Sequence, residues 1–188
     1  MNLSFSLTFP KHSGQPHVRK PLHPKSSCNA VLATTFGKKP KAPVLAPQFK
    51  NDDKHMNALE IVRAYYDAFN RQDWEGMLAL LDPEIRHDAN QGGTHTGLDY
   101  YRAFLRHMDE CYSEHLTDMV FMTDTSGERI ACEFTVNGIY KKTDGDLPPA
   151  TGQPYVLPAG AFLEVRNGKI VRVTTYYNLP LWVHLISQ

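Results

Sequence analysis

The first 50 residues contain no aspartate or glutamate, although they hold eight of the chain's 20 lysines and arginines. Beyond them lie 12 basic and 20 acidic residues, so the two parts carry formal charges of +8 and −8 while the whole chain is neutral. This asymmetry indicates a basic segment appended to a globular domain.

Long apolar runs are absent as well. No run approaches the ~20 residues that a membrane-spanning helix requires, so we expect a soluble mature protein without a membrane partner. The chain has 188 residues, of which 41% are hydrophobic, and can bury one sizeable core. We therefore expect one folded domain over residues 53–188.

Residues 1–52 contain seven prolines and no sustained hydrophobic period. The hydroxyl-rich start and the lack of acids are typical of an organelle transit peptide. Because Arg19 is the only arginine of this segment, a plastid (chloroplast) address is favoured over a mitochondrial one. The alternative is a disordered basic tail. Its basic residues are interrupted by proline and lack interleaved aromatics, so no nucleic-acid partner is expected.

Cysteine is scarce and scattered, at Cys28, Cys111 and Cys132, with no Cys-x-x-Cys pair. This spacing argues against a disulfide scaffold or a zinc site, and we interpret the last two as small apolar fillers. Three histidines of the folded part also lack metal-ligand spacing with each other, so no metal is expected: His95, His107 and His115.

Hydrophobic periodicity predicts three helices followed by strands. The helices cover about residues 56–70, a short segment capped by Asp73 and ended by Asp82-Pro83, and about residues 97–114. The strands are predicted at residues 116–123, 129–141, 155–166 and 169–178, with a short helix in 179–188. This order is typical of an α+β domain with helices on one face of a curved antiparallel sheet, which encloses a pocket.

Residues 84–93, Glu-Ile-Arg-His-Asp-Ala-Asn-Gln-Gly-Gly, crowd ionisable and amide side chains into a segment that leaves a strand. Asp88 lies at its centre, where a rigidly held carboxylate facing a cleft would suit a general base. The alternative is that Asp88 and Asn90 cap a turn. His87 is expected to point to the opposite face, as a core or surface histidine.

Three segments resemble the SnoaL-like and ketosteroid-isomerase-like families. They are residues 65–74 (YYDAFNRQDW), residues 80–83 (LLDP), and the hairpin from residues 168–170 (GKI) to the tyrosine pair 176–177. The resemblance covers about residues 56–180. It implies the cone-shaped fold shared with nuclear transport factor two, in which three N-terminal helices pack on a curved antiparallel sheet.

The resemblance also implies two catalytic residues. Asp88 falls where ketosteroid isomerase has its proton-abstracting aspartate, and Tyr65 falls where it has its oxyanion-hole tyrosine. The second acid of that oxyanion hole has no counterpart, because Gly160 and Ala161 stand near its place. One oxyanion donor is commonly worth ~3 kcal/mol of barrier, so a steroid is not the expected substrate.

Eight further residues are candidates for substrate binding: Trp74, Asn90, Gln91, Phe104, Met108, Glu133, Tyr176 and Asn178. The apolar members would form pocket walls that raise the pKa of the Asp88 carboxyl. The amide and phenol members would orient a ligand. The alternatives are that Asn90 and Gln91 bind backbone in a turn and that Tyr176 and Asn178 simply face solvent. Glu133 is a second carboxylate of the cavity or a solvated surface residue.

The expected function is an isomerase- or cyclase-type enzyme, related to steroid delta-isomerases, that acts by acid-base chemistry on an apolar carbonyl or polyketide-like molecule. Asp88 would move the proton and Tyr65 would polarise an oxygen, with no cofactor. The alternative is a non-catalytic module that binds an apolar ligand or dimerises. In either case we expect a homodimer, formed through an outer sheet face that offers Val171, Val173 and Tyr177.

Overall fold

Asn57 starts the first helix with a capping box. Its side chain accepts a hydrogen bond from the Glu60 N–H at 2.9 Å, and the Glu60 carboxylate accepts one from the Asn57 N–H at 2.9 Å. The capping box therefore bonds two of the N–H groups that a helix start leaves without partners. The computed structural model describes residues 56–90 and 92–188. In it, the helix begins at Ala58, directly after its N-cap residue Asn57. The predicted basic segment and Gln91 lie outside the described residues.

Four helices and six strands follow one another in the described residues. Their order is α1 (Ala58–Asn70), α2 (Trp74–Ala79), β1 (Leu81–Asp88), β2 (Thr94–Thr96), α3 (Leu98–Cys111), β3 (Tyr112–Thr123), β4 (Arg129–Tyr140), β5 (Gln153–Arg166), β6 (Lys169–Tyr177) and α4 (Leu179–Ile186). The predicted α+β class is confirmed. None of these helices has the length and apolar character needed to cross a membrane.

The six strands form one curved sheet in the order β2-β1-β6-β5-β4-β3. All neighbours are antiparallel except β1 and β6, which run parallel. The register between β1 and β6 shifts between Leu81 and Arg86, around Pro83, which has no N–H to donate to a ladder. Pro83 therefore lies inside an irregular strand. The sequence pattern had predicted that it ends α2, which is wrong.

The helices cover one face of this sheet, called the inner face below. Tyr66 of α1 packs on Phe134 of β4, and Trp182 of α4 packs on Tyr155 of β5. Strand residues alternate between this buried face and an exposed outer face. The core of the domain therefore lies between the helices and the inner face.

The outer face carries different apolar residues from those predicted. Val173 is buried on the inner face, and Tyr177, next to Trp182, also points inward. The exposed apolar side chains of the outer face come from β3, β4, β5 and β6: Val120, Met122, Ile139, Val156, Phe162 and Tyr176. The prediction that this face presents Val173 and Tyr177 is wrong, because β6 has one extra residue, Val171, in its pairing with β5, so that Ile170 and Val173 both point inward.

Candidate active site

Asp88 ends β1 on the outer face of the sheet. Ile85 and His87 of the same strand are buried, whereas Arg86 is exposed, so alternation directs Arg86 and Asp88 outward together. The register places Asp88 opposite Thr174 of β6 and Thr94 of β2. The carboxylate therefore points away from the helices.

Four neighbouring side chains donate hydrogen bonds to the Asp88 carboxylate. Oδ1 accepts from Thr94 Oγ1 at 2.7 Å and Arg86 Nε at 2.9 Å, and Oδ2 accepts from Arg172 Nε at 2.8 Å and Thr174 Oγ1 at 3.0 Å. Partial burial alone would raise the pKa of Asp88, but these bonds outweigh it and hold the pKa well below its ordinary value. The expectation of an apolar pocket that raises this pKa is wrong, and a carboxylate so stabilised is a weak base.

His87 occupies the inner face that had been assigned to Asp88. It is 4% exposed and lies among aromatic rings of α3, with its ring centroid 4.5 Å from that of Phe104 and 5.0 Å from that of Tyr101. Its Nδ1 atom has no hydrogen-bond partner among the described residues. Burial lowers the pKa of His87 to about 4, so the imidazole is neutral near pH 7.

Tyr65 is buried, and its hydroxyl forms a hydrogen bond of 2.5 Å with the hydroxyl of Tyr101 on α3. Burial raises the pKa of Tyr65 well above its ordinary value, and the neighbouring phenols of Tyr101 and Tyr66 raise it further. Tyr66 is buried against Phe121. Both adjacent tyrosines are thus in the interior, and the Tyr65 hydroxyl is engaged with another phenol.

Glu114 of β3 has a carboxyl group that points toward the helices. It lies on β3 between the buried inner-face residues Tyr112 and Leu116, yet it stays partly accessible to solvent. The Tyr155 hydroxyl donates to Glu114 Oε1 at 2.5 Å. Burial raises the pKa of Glu114 although this hydrogen bond opposes the shift. A raised pKa together with residual accessibility is what a group that exchanges protons with a ligand requires.

Gly138 makes the contact between Glu114 and Tyr155 possible. It lies on β4 between the two strands, opposite Glu114 on one side and Tyr155 on the other. The Tyr155 ring lies over Gly138, where a Cβ atom would collide with it. The glycine therefore lets the phenol reach across a whole strand to the carboxylate.

Tyr177 and Asn90 extend this polar group along the inner face. The Asn90 side-chain amide donates to the Tyr177 carbonyl oxygen at 3.2 Å. Burial raises the pKa of the Tyr177 phenol, and the charges of Glu114 and Asp144 add to this effect. The phenol ring lies next to the Trp182 ring, with their centroids 6.2 Å apart.

Several inner-face side chains of the sheet and of α3 are only partly buried. Thr175, Ala159 and Tyr177 of the sheet remain partly accessible, as do Phe104 and Met108 of α3. Inward-facing side chains that keep contact with solvent are those expected along a gap between helices and sheet, so we take these residues, with Glu114 and Asn90, as the lining of a candidate cleft.

A separate depression of about 440 Å³ lies beside α4. It is lined by Thr151, Gly152, Gln153, Pro154, Leu185 and Gln188. None of these side chains titrates near neutral pH, so this depression offers no acid-base chemistry.

Comparison with known proteins agrees with this architecture. Residues 62–173 match the family model of the SnoaL-like domain. The chain belongs to the SnoaL-like domain family. No curated protein matches it.

Three of the solved structures that resemble this chain come from bacteria. A candidate polyketide cyclase from Pseudomonas putida KT2440 is 50% identical, and the match covers 70% of this chain and 98% of that one with a TM-score of 0.68. Another, from Xanthomonas campestris pv. campestris, is 48% identical over 69% of this chain and 96% of that one, with a TM-score of 0.68. A third, from Silicibacter sp. TM1040, is 45% identical over 70% and 96% of the two chains, with a TM-score of 0.69. The predicted cone-shaped fold of the nuclear transport factor two superfamily is confirmed.

In this SnoaL-like domain the predicted binding residues do not all meet. Phe104, Met108 and Asn90 border the cleft. Glu133 and Tyr176 lie exposed on the outer face, where the Tyr176 ring packs edge-on against Phe162 at 5.8 Å.

Two other predicted residues support helices. Asn178 caps α4 by accepting from the Leu181 N–H at 3.1 Å. Trp74 packs edge-on against Phe69 at the junction of α1 and α2, with a centroid distance of 5.8 Å. These contacts give Asn178 and Trp74 structural roles in the SnoaL-like domain.

Glu114 was missed because the third helix was predicted to run to about this residue. The helix ends at Cys111, and β3 begins at Tyr112. The alternation of Tyr112, Glu114 and Leu116 continues the pattern of β3 and was the available signal. A strand boundary four residues too late therefore assigned the inner carboxylate to a helix end.

Proposed function

We propose that this SnoaL-like domain is a cofactor-independent enzyme that cyclises or isomerises a small, mostly apolar carbonyl compound of the polyketide type, with Glu114 as the proton-transferring residue. One observation carries the proposal: a partly accessible inner-face carboxyl with a raised pKa, held by Tyr155 beside an aromatic cleft. The names of the Pseudomonas and Xanthomonas proteins, both candidate polyketide cyclases, support this reaction class.

The proposed reaction is an intramolecular proton shuttle. Ionised Glu114 removes a proton from a carbon atom beside a substrate carbonyl, and the carbanion is stabilised as an enolate. The enolate carbon attacks a second carbonyl of the same molecule, forming one carbon–carbon bond, and Glu114 returns its proton to the new alkoxide. If the proton returns to another carbon instead, the result is an isomerisation. Atoms and electrons balance without a cofactor.

Each neighbour of the cleft has a role in this scheme. The raised pKa makes Glu114 a stronger base than an ordinary glutamate once it is ionised. The Tyr155 hydroxyl orients its carboxylate. The Tyr177 phenol and the Asn90 amide are polar groups of the cleft that can bind a substrate oxygen, while Phe104 and Met108 provide apolar contact area.

Proton abstraction can be measured without knowing the natural substrate. NMR would follow deuterium exchange at the α-carbon of small apolar ketones and β-diketones in deuterated buffer, catalysed by the full-length protein. We expect Glu114→Gln to slow this exchange by about 100- to 10,000-fold, the usual contribution of a positioned base. The same variant should slow ring closure of a cyclisable polyketone to a similar extent.

Two matched variants separate this proposal from its competitors. Glu133→Gln makes the same chemical change on the exposed outer face and should leave the exchange rate within a factor of about two. Asp88→Asn tests the residue implied by resemblance to ketosteroid isomerase. Loss of exchange in Asp88→Asn but not in Glu114→Gln would assign the base to Asp88.

Wild-type protein that catalyses no exchange, and that carries an unreacted apolar ligand in native mass spectra, would favour the non-catalytic binding module.

A further inference from the structure

Three side chains with different metal-binding chemistry converge where α3 ends. The imidazole of His107, the thiol of Cys111 and the carboxylate of Asp144 place one ligand atom each within 4.8 Å of the others. His107 Nε2 lies 3.0 Å from Asp144 Oδ2. His107 and Cys111 are one helical turn apart and share a face of α3, whereas Asp144 comes from the loop between β4 and β5.

Hydrogen bonds hold the loop against the end of the helix. The Tyr112 hydroxyl donates to Asp144 Oδ2 at 2.7 Å, and the Asp144 N–H donates to the Tyr140 hydroxyl at 2.8 Å. The Cys111 carbonyl accepts from the Lys141 N–H at 2.8 Å. The carboxylate and the thiol are thus positioned relative to each other by neighbours that are not ligands, as in many protein metal sites.

We propose that His107, Cys111 and Asp144 form a binding site for a zinc-type divalent transition-metal ion. An imidazole, a thiolate and a carboxylate together suit zinc, whereas magnesium and calcium prefer oxygen ligands alone. The fourth position of a tetrahedral site is left for water or a small ligand. The spacing between histidines in the sequence does not reveal this group, because the partners of His107 are a cysteine one turn away and an aspartate from a distant loop.

The distances agree with such a site after small adjustments. Zinc binds nitrogen and oxygen at about 2.0 Å and sulfur at about 2.3 Å, so tetrahedral ligand atoms lie roughly 3.3–3.6 Å apart. The observed separations of 3.0 Å and up to 4.8 Å require side-chain shifts on the order of 1 Å. Cys111 is buried, but the side chains of His107 and Asp144 are 32% and 13% exposed and give access from solvent.

A bound metal would fasten the loop to α3 more firmly than the present contacts do. The competing explanation is that His107 and Asp144 form only an ion pair and that Cys111 is a buried apolar filler. The two explanations differ in whether a thiolate binds the ion, which can be detected spectroscopically.

Cobalt(II) is the probe, because its thiolate complexes absorb by sulfur-to-metal charge transfer and its tetrahedral complexes have intense visible bands. The reduced full-length protein would be titrated with cobalt, followed by displacement with zinc. We expect one equivalent to produce the charge-transfer band and zinc to remove it. Each cysteine is then replaced singly by serine, and only Cys111→Ser should abolish the band, whereas Cys28→Ser and Cys132→Ser should retain it.

Further variants keep the test decisive if Cys111→Ser fails to fold. His107→Ala and Asp144→Asn should each weaken cobalt binding at least about tenfold, and Tyr112→Phe by about tenfold, as expected for loss of an outer-shell partner. Absence of a charge-transfer band in the wild type, or a band that persists in folded Cys111→Ser, would overturn the proposal. So would unchanged affinity in both His107→Ala and Asp144→Asn.

Discussion

At the scale of single residues, two carboxyl groups of this domain have opposite environments. Asp88 on the outer face accepts four hydrogen bonds from side chains, two of them from arginines. Glu114 on the inner face accepts one, from an uncharged phenol. The arginines stabilise the charged form of Asp88, whereas burial without a cation disfavours the charged form of Glu114, so the pKa values move in opposite directions.

His87 should make stability depend on pH between about 4 and 6.5. Its pKa is about 4 in the folded protein, against 6.5 in its ordinary state, so over this range the unfolded chain binds a proton that the native state excludes. The free energy of unfolding therefore keeps its full value, as far as His87 is concerned, above about pH 6.5 and falls as the pH drops toward 4. The full loss corresponds to about 3 kcal/mol.

Urea unfolding of His87→Leu and the wild type across this pH range would test the prediction. Leucine removes both the titration and the unpartnered Nδ1, so the variant should be about as stable as the wild type at pH 7. At pH 4.5 it should be more stable by about 2 kcal/mol. Because both proteins contain the same carboxyl groups, the difference between their free energies of unfolding does not include the pH dependence of those groups. A difference that stays constant with pH would contradict a lowered pKa for His87.

At the scale of secondary-structure elements, the candidate site depends on the register of three neighbouring strands. Glu114, Gly138 and Tyr155 lie opposite one another on β3, β4 and β5. A side chain on the middle strand would separate the outer two. A glycine in the middle of a strand usually weakens the sheet, and here it makes room for the phenol that bonds the carboxylate.

Gly138→Ala should displace the Tyr155 ring and break its hydrogen bond to Glu114. We expect a loss of about 1–3 kcal/mol in the free energy of unfolding, because the added methyl group overpacks the core, and a fall in the rate of deuterium exchange. Tyr155→Phe removes the same hydrogen bond and should lower the exchange rate to a similar extent. Gly160→Ala, on the outer face of the neighbouring strand, is the matched control and should keep full exchange activity. Full activity in Gly138→Ala would show that Tyr155 does not support Glu114.

At the scale of the whole molecule, the helices leave the outer face of the sheet uncovered. Its exposed apolar side chains include Val120, Met122, Phe162 and Tyr176, and the charged group around Asp88 lies next to them. Isolated apolar residues are ordinary on a surface, but several on one face indicate an interaction site. We propose that a second copy of the chain covers this face, because a two-fold contact would place the same patch on both sides.

Sedimentation velocity at micromolar concentration should show a dimer. Phe162→Glu puts a charge at the centre of the patch, so it should shift the protein toward monomer by at least about tenfold in dissociation constant. Leu181→Glu changes an exposed apolar residue of α4 and is the control, with the dimer retained. A monomeric wild type, or dissociation in both variants alike, would contradict the assignment of the interface to this face.

The sequence determined the fold, because hydrophobic periodicity and capping are local. Helix α1 lies within the predicted residues 56–70, Asp73 caps α2 as predicted, and the turn before Gly168 joins the last two strands. The segments shared with the SnoaL-like family led to the same architecture. The boundaries were predicted less well, because the period-two pattern of β3 begins at Tyr112, inside the segment predicted as helix, and Pro83 lies within a strand.

The tertiary structure decided which side chains face the cleft. A shift of one position on β1 reverses every side chain, and whether His87 or Asp88 points inward depends on how β1 pairs with β6 far along the chain. The neighbours of Glu114, and those of His107, likewise come from residues distant in sequence. The sequence therefore determined the architecture and the kind of chemistry available, whereas the pairing of strands and the packing of α3 decided which residues come together, because those contacts are non-local.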